Sequence, residues 1–287
     1  MSRANIDINN IKQLAFTSEI DKFQTEVDNL ITQSSYEKNA VLLQLLSLLD
    51  VTTLNDEDYS QSIKNISSIT TSRVGEKDIN VAGVCVYSNL LPILNQQQIH
   101  NEVKRVVVSG GFPTAQISLK AKLSDISFCL ENNADEIDIP INRGLFFENK
   151  EELKEELIQI SNLIHNNSDS KLKIILETSE LKTYQNIYDA SILAMECGAD
   201  FIKTSTGKVS RGADVYSSVI MLVAIKDYFI KTNKLVGFKA AGGIRSYQDA
   251  VKYYIIAKQI MGEAYINPST FRIGCSNLRN DIINNIK

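Results

Sequence analysis

Short β-branched runs alternate with longer stretches whose apolar residues recur at three- and four-residue steps, from about residue 50 to the end of the chain. The pattern predicts strands over 50–53, 79–87, 103–109, 134–141, 172–177, 199–204, 235–240 and 271–273. It predicts helices over 56–72, 92–101, 115–132, 148–167, 182–198, 214–232, 246–261 and from 276 onward. Each strand is thus followed by a helical stretch. The strands are nearly continuous apolar runs, as expected of parallel strands buried on both faces. The fold class predicted is α/β, a (β/α)8 TIM barrel. An open doubly wound sheet is the runner-up, and no G-x-G-x-x-G follows the early strands to support it. Ahead of the barrel, Ile11, Leu14, Ile20, Phe23, Val27, Leu30 and Ile31 predict one helix over 8–34, and a Leu-rich helix follows over 36–49. Residues 1–45 are read as a helical extension packed on the barrel, and 46–287 as a single catalytic domain.

Composition narrows the class of function. The 287 residues carry a formal net charge of −4, which excludes a strongly basic nucleic-acid binder. The hydrophobic share of 44% excludes a disordered chain. The longest apolar run, 219–225, falls far short of the ~18 residues of a membrane span. No apolar segment follows the first residues as a secretory signal would require. The expected setting is the cytoplasm, with no membrane or nucleic-acid partner. Cys85, Cys129, Cys197 and Cys275 lack metal or disulfide-scaffold spacing and read as buried thiols. His100 and His165 both read as exposed loop residues. A histidine metal site or a Ser-His-Asp triad is therefore poorly supplied.

In such a barrel the chemistry sits at the C-terminal ends of the strands. Lys203 closes the sixth strand and Lys239 the seventh, one βα unit apart, so they stand on neighbouring strands. A lysine buried in an apolar strand beside a second ammonium is expected to lose its proton more readily. A neutral lysine is a nucleophile suited to Schiff-base formation with an aldehyde or ketone. On the fourth strand, Asp138 shares a face with Glu136 and Pro140. An acid there needs a cation, and Lys203 and Lys239 are the candidates. Glu136 competes for that role from deeper in the barrel. Three loops suit an anion: Thr206-Gly207-Lys208 after strand six, Gly242-Gly243-Ile244-Arg245 after strand seven, and Gly274-Cys275-Ser276 after strand eight. Glycines let backbone N–H groups close on phosphate oxygens, and a helix N-terminus adds its dipole. Together they point to a phosphorylated substrate. Cys85, at the end of strand two, reads as a core thiol that could line the pocket.

These segments closely resemble the deoxyribose-phosphate aldolase family. The resemblance rests above all on Gly198-Ala199-Asp200-Phe201-Ile202-Lys203-Thr204-Ser205-Thr206-Gly207-Lys208 and on Val236-Gly237-Phe238-Lys239-Ala240-Ala241-Gly242-Gly243-Ile244-Arg245. Leu49-Asp50-Val51-Thr52-Thr53-Leu54-Asn55, Val84-Cys85-Val86-Tyr87, Gly111-Phe112-Pro113, Ala134-Asp135-Glu136-Ile137-Asp138, Leu176-Glu177-Thr178 and Phe271-Arg272-Ile273-Gly274 add to it. It implies a class I aldolase that cleaves 2-deoxy-D-ribose 5-phosphate reversibly to D-glyceraldehyde 3-phosphate and acetaldehyde, in deoxynucleoside catabolism. By the same resemblance Lys203 is the Schiff-base lysine, Lys239 the second lysine that tunes it and relays protons, and Asp138 an acid that moves protons through water. Thr206, Gly207, Lys208, Gly242, Gly243, Arg245, Gly274 and Ser276 fall at phosphate-site positions, and Asp50 and Cys85 at the sugar pocket. No metal or organic cofactor is implied, because the iminium is itself the electron sink. The chain departs from the family pattern in three ways. Asn277 stands where a second serine is common, no tyrosine ends the chain, and the N-terminal extension is longer than in the shortest relatives. The extension is read as a cover or an oligomer contact, with a homodimer as the candidate assembly. Three other readings are a Schiff-base aldolase for a keto-sugar phosphate, a sugar-phosphate binding protein without turnover, and a proton-shuttling isomerase.

Overall fold

The computed structural model describes residues 7–286, so the first six residues of the predicted extension and Lys287 lie outside it. Eight parallel strands close into a barrel: β1 (Leu49–Thr52), β2 (Gly83–Tyr87), β3 (Lys104–Val108), β4 (Glu136–Pro140), β5 (Lys171–Ile175), β6 (Phe201–Lys203), β7 (Gly237–Ala241) and β8 (Phe271–Cys275). β1 pairs with both β2 and β8, which completes the ring. Helices lie between the strands, as the alternating sequence pattern predicts. Ser118, Thr183, Asp214 and Ser246 cap the helices that follow β3, β5, β6 and β7. Each accepts from a backbone N–H three residues on, which satisfies a donor the helix itself cannot.

Three details differ from the sequence reading. The segment over 8–34 is two helices, α1 (Ile8–Phe16) and α2 (Ile20–Thr32). Thr17 breaks it: its backbone is extended, its hydroxyl donates to the Leu14 carbonyl at 2.9 Å, and it accepts from the Glu19 N–H at 3.2 Å. Such local side-chain bonds compete with the helical ladder. The run over 79–87 is not one strand. Lys77–Asn80 pairs antiparallel with Thr71–Val74 in a small hairpin ahead of β2. β8 extends through Cys275, so Gly274 lies inside the barrel wall rather than in a loop.

α1 packs on the helices Tyr184–Glu196 and Val215–Thr232, while α2 crosses Val215–Thr232 and Tyr247–Met261. Phe23 is fully buried there, edge-on to Tyr184 with ring centroids 5.2 Å apart. α3 (Lys38–Ser47) leads directly into β1 and buries Val41, Leu42, Leu45 and Leu46. No helix among the described residues is long and apolar enough to cross a membrane.

The main hydrophobic core lies between the strands and the surrounding helices. The barrel interior is different. Bulky branched residues usually fill it, but here charged side chains do. Glycines make the room. A Cβ on Gly237 would stand 2.3 Å from the Phe201 ring, and one on Gly274 would stand 3.2 Å from Cε of Lys239.

Candidate active site

Alternation along the strands aims Asp50, Glu136, Asp138, Lys173, Lys203, Lys239 and Arg272 at one another, and all seven are buried. Asp138 is the hub. Its Oδ2 accepts from both Lys203 and Lys239, each at 2.8 Å, and its Oδ1 accepts from Lys173 at 2.9 Å. Lys239 also reaches Asp50 Oδ2 at 2.6 Å. Deeper in the barrel, Arg272 bridges Asp50 and Glu136, with its Nη2 2.8 Å from Glu136 Oε1, and Lys173 pairs with Glu136. Four cationic side chains therefore face three carboxylates. The Phe201 ring lies 5.8 Å from Lys173 and 5.7 Å from Arg272 and adds its π face.

The electrostatics follow from this packing. Burial alone would raise the Asp138 and Asp50 carboxyls. The lysines around Asp138, and Arg272 with Lys239 beside Asp50, outweigh it and hold both well below the ordinary carboxylate range. Burial likewise opposes the charge on Lys239, but Asp138 and Asp50 hold this ammonium well above lysine's usual value. Lys239 thus departs from the expectation that both lysines shed protons readily. Its two carboxylate contacts keep it charged. Lys173 is raised too, with Asp138 and Glu136 overcoming its burial.

Cys85 sits at the edge of this cluster, packed with Val106 and Val108 and flanked by Leu54, Tyr87 and Phe112. Burial pushes its thiol up to about 11. A thiol so buried and so weakly acidic is unsuited to nucleophilic work at neutral pH.

The rim carries the glycine loops. Gly207, Gly242 and Gly243 take φ values of +80°, +89° and +79°, a region open to glycine with little strain. A Cβ on Gly242 would stand 3.0 Å from the Gly212 Cα and 3.5 Å from the Gly207 Cα, so the loops after β6 and β7 touch there. Lys208 projects from this edge, paired with Asp56 at 2.9 Å and 5.9 Å from the Tyr87 ring. Arg245 and Ser276 are exposed at the same end. Thr206 is buried instead, and its hydroxyl is bound to Glu177.

Residues 16–282 match the model of the DeoC/LacD family aldolases. The chain belongs to this family. It is an aldolase, hence a lyase. It is 36% identical over 256 residues to the deoxyribose-phosphate aldolase of Homo sapiens, covering 85% of this chain and 80% of that protein. It is 34% identical over 264 residues to that of Mus musculus, with the same coverage. A deoxyribose phosphate aldolase from Aeropyrum pernix, described as a tetramer, superposes with a TM-score of 0.65 at 21% identity, covering 90% of this chain and 95% of that one. That likeness shows the barrel fold.

Several placements revise the sequence reading of this aldolase. Asp50, expected at the sugar pocket, is also the buried counter-ion of Lys239 and Arg272, a pairing the sequence reading does not include. Gly274, expected in a phosphate loop, is a strand residue that gives the Lys239 stem its room. His165, expected in a surface loop, ends the helix Lys150–His165 and bonds Asp200 at 2.8 Å. Lys173, Arg272 and Glu177 were not singled out as site residues. Alternation in Lys171-Leu172-Lys173-Ile174-Ile175 carries the same signal that marked Lys203, but Lys171 on the same face is exposed and gives the pair a solvent-facing look.

Proposed function

We propose that the protein is a class I aldolase that reversibly cleaves 2-deoxy-D-ribose 5-phosphate to D-glyceraldehyde 3-phosphate and acetaldehyde, with Lys203 as the Schiff-base lysine. The observation that carries this reading is the Lys203–Asp138–Lys239 arrangement, two lysines on one carboxylate oxygen at 2.8 Å each. In the cleavage direction the neutral Lys203 amine attacks C1 of the open-chain aldehyde. Loss of water from the carbinolamine gives the iminium. Removal of the C3 hydroxyl proton breaks C2–C3, the electron pair flows to the iminium nitrogen, and glyceraldehyde 3-phosphate leaves. The enamine is then protonated at carbon, and water releases acetaldehyde.

Charge balance supports this sequence. With Lys203 neutral, three cations face three carboxylates. The iminium adds one positive charge and the enamine removes it, so bond cleavage returns the cluster to balance. In a buried site such a change carries far more weight than in water. Asp138 is stabilised strongly as a carboxylate and serves as the fixed acceptor that aligns both lysines. Lys239, held as the ammonium, is the proton donor closest to hand. Water completes the relay. The glycine loops with Lys208, Arg245 and Ser276 would take the 5-phosphate, and Cys85 would wall the two-carbon end. Deoxynucleoside catabolism in the cytoplasm is the setting this activity suits, and the iminium asks for no metal or organic cofactor.

Borohydride trapping with 2-deoxyribose 5-phosphate, read by peptide mass spectrometry, tests the assignment. A reduced adduct on Lys203 that vanishes in Lys203→Leu is expected. A folded wild-type protein with excess substrate and no adduct would overturn it.

A further inference from the structure

Glu177 follows β5 and lies within electrostatic reach of Lys203, yet the reaction above does not use it. Its backbone is left-handed, with φ +55° and ψ +61°. For a residue with a Cβ this costs free energy, and such strain persists only where the surroundings enforce it. The enforcing contacts are visible. The Leu176 N–H donates to the Lys203 carbonyl at 2.9 Å, and the Thr178 N–H donates to the Thr204 carbonyl at 2.9 Å. In a regular parallel ladder, donors two residues apart reach carbonyls two residues apart. Here they reach consecutive ones, and Glu177 is the turn that permits it. Its side chain is 1% exposed. It reaches forward to Thr206, whose N–H lies 3.3 Å from both carboxyl oxygens and whose hydroxyl donates to Oε2. Thr206 Oγ1 in turn accepts from the Lys208 N–H at 3.1 Å. One carboxyl group therefore ties the turn after β5 to the loop after β6 that holds Gly207 and Lys208.

We infer that Glu177 is a positioning residue for the Thr206–Lys208 anion loop, setting affinity for the phosphorylated substrate rather than the Schiff-base step. The inference rests on the proposed function above. Lys203 does not depend on this link: it is held by its own strand and by Asp138. The loop does depend on it, because Glu177 accepts from both the hydroxyl and the N–H of Thr206.

The test uses Glu177→Gln, which keeps the shape and the backbone but places an amide donor against the Thr206 N–H. Thr206→Val and the double variant complete a cycle. Each is assayed with 2-deoxyribose 5-phosphate and with unphosphorylated 2-deoxyribose, and each is trapped by borohydride with acetaldehyde alone. Losing a bond to a carboxylate is worth about tenfold or more, so KM for the phosphorylated substrate should rise by that factor in Glu177→Gln. kcat, kinetics on the unphosphorylated sugar and acetaldehyde trapping on Lys203 should hold within about threefold, and the double variant should lose little beyond either single one. An unchanged KM, equal losses on both sugars, additive effects or lost trapping in Glu177→Gln would each overturn the inference. Absence of trapping in the wild type would instead overturn the aldolase reading, so the two failures are distinct.

Discussion

Replacing Asp138 with asparagine removes the negative charge shared by three lysines, and one of its two acceptor oxygens, while keeping its volume. In the native protein Lys173, Lys203 and Lys239 all contact this carboxylate. With Lys203 protonated the cluster carries one surplus positive charge, and Asp138→Asn makes it two. Breaking a buried ion pair by removing one partner costs about 3–5 kcal/mol. A chain of this length has an unfolding entropy of about 0.6 kcal/mol/K near its midpoint, so the melting temperature should fall by about 5–8 °C at pH 7. The penalty comes from uncompensated cations rather than lost packing, so a second change should relieve it. Lys173→Met is close in volume and returns the surplus to one, and Asp138→Asn with Lys173→Met should recover part of the loss. Differential scanning calorimetry of the two single variants and the double gives the coupling directly. The reasoning is refuted if Asp138→Asn melts within about 1 °C of the wild type, or if the double variant loses the sum of the two single effects.

Acid should expose the same cluster. Asp50 and Asp138 have folded values below their unfolded ones, so their stabilisation is present above about pH 4 and is lost as pH falls further. Melting temperature should therefore decline steeply below pH 4, and a flat profile to pH 3 would contradict the assignment. Gly237→Ala would place a methyl against the Phe201 ring, and such overpacking typically costs about 1–3 kcal/mol, read as a shift in denaturation midpoint. All four cysteines are buried, with thiols pushed to about 11 for Cys85 and Cys197 and about 12 for Cys129 and Cys275. A thiol reagent at pH 8 should label none of them in the native protein and all four in denaturant. Rapid native labelling of Cys85 would show that the barrel mouth opens wider than this packing implies.

The barrel was legible because most strands announce themselves by a short apolar, largely β-branched run and the helices by their stripes of apolar residues, although β7 has no β-branched residue at all. Element ends were less so. Thr17 breaks a stretch whose apolar spacing continues through it, and the hairpin ahead of β2 reads as one long strand because Asn80 and Val81 keep the polar–apolar alternation going. Of the site, the residues legible one by one were those whose charge contradicts an apolar strand: Lys203, Lys239 and Asp138. Lys173 escaped because Lys171 shares its face, and Arg272 because it was taken with its strand rather than as a charge within it. Asp50 is assigned to the sugar pocket by the family resemblance alone, which says nothing of how deep in the barrel it lies or what it pairs with. Depth is set by strand stagger, which here puts Asp50 level with Gly83 and Gly274. Glu177 was hidden for another reason. Its importance lies in a backbone conformation that no local residue pattern in Leu176-Glu177-Thr178 requires.

The depth of the ions also bears on why they are there. Filling a barrel with apolar layers of similar volume is often as stable as, or more stable than, a buried ion network. The lumen spends glycine at 83, 237 and 274 to accommodate charged side chains and the Phe201 ring beneath them, and each glycine itself weakens a strand. Such a choice is intelligible if the lower tier, Arg272 with Glu136 and Asp50, exists to fix the upper tier. Arg272 holds Asp50, Asp50 holds Lys239, and Lys239 shares Asp138 with Lys203. The Lys203 amine at the end of that chain has little freedom to reorient, and the charge around it is already arranged in the folded protein. Pre-set charge of this kind costs nothing at the moment of reaction, because the reorganisation was completed when the chain folded.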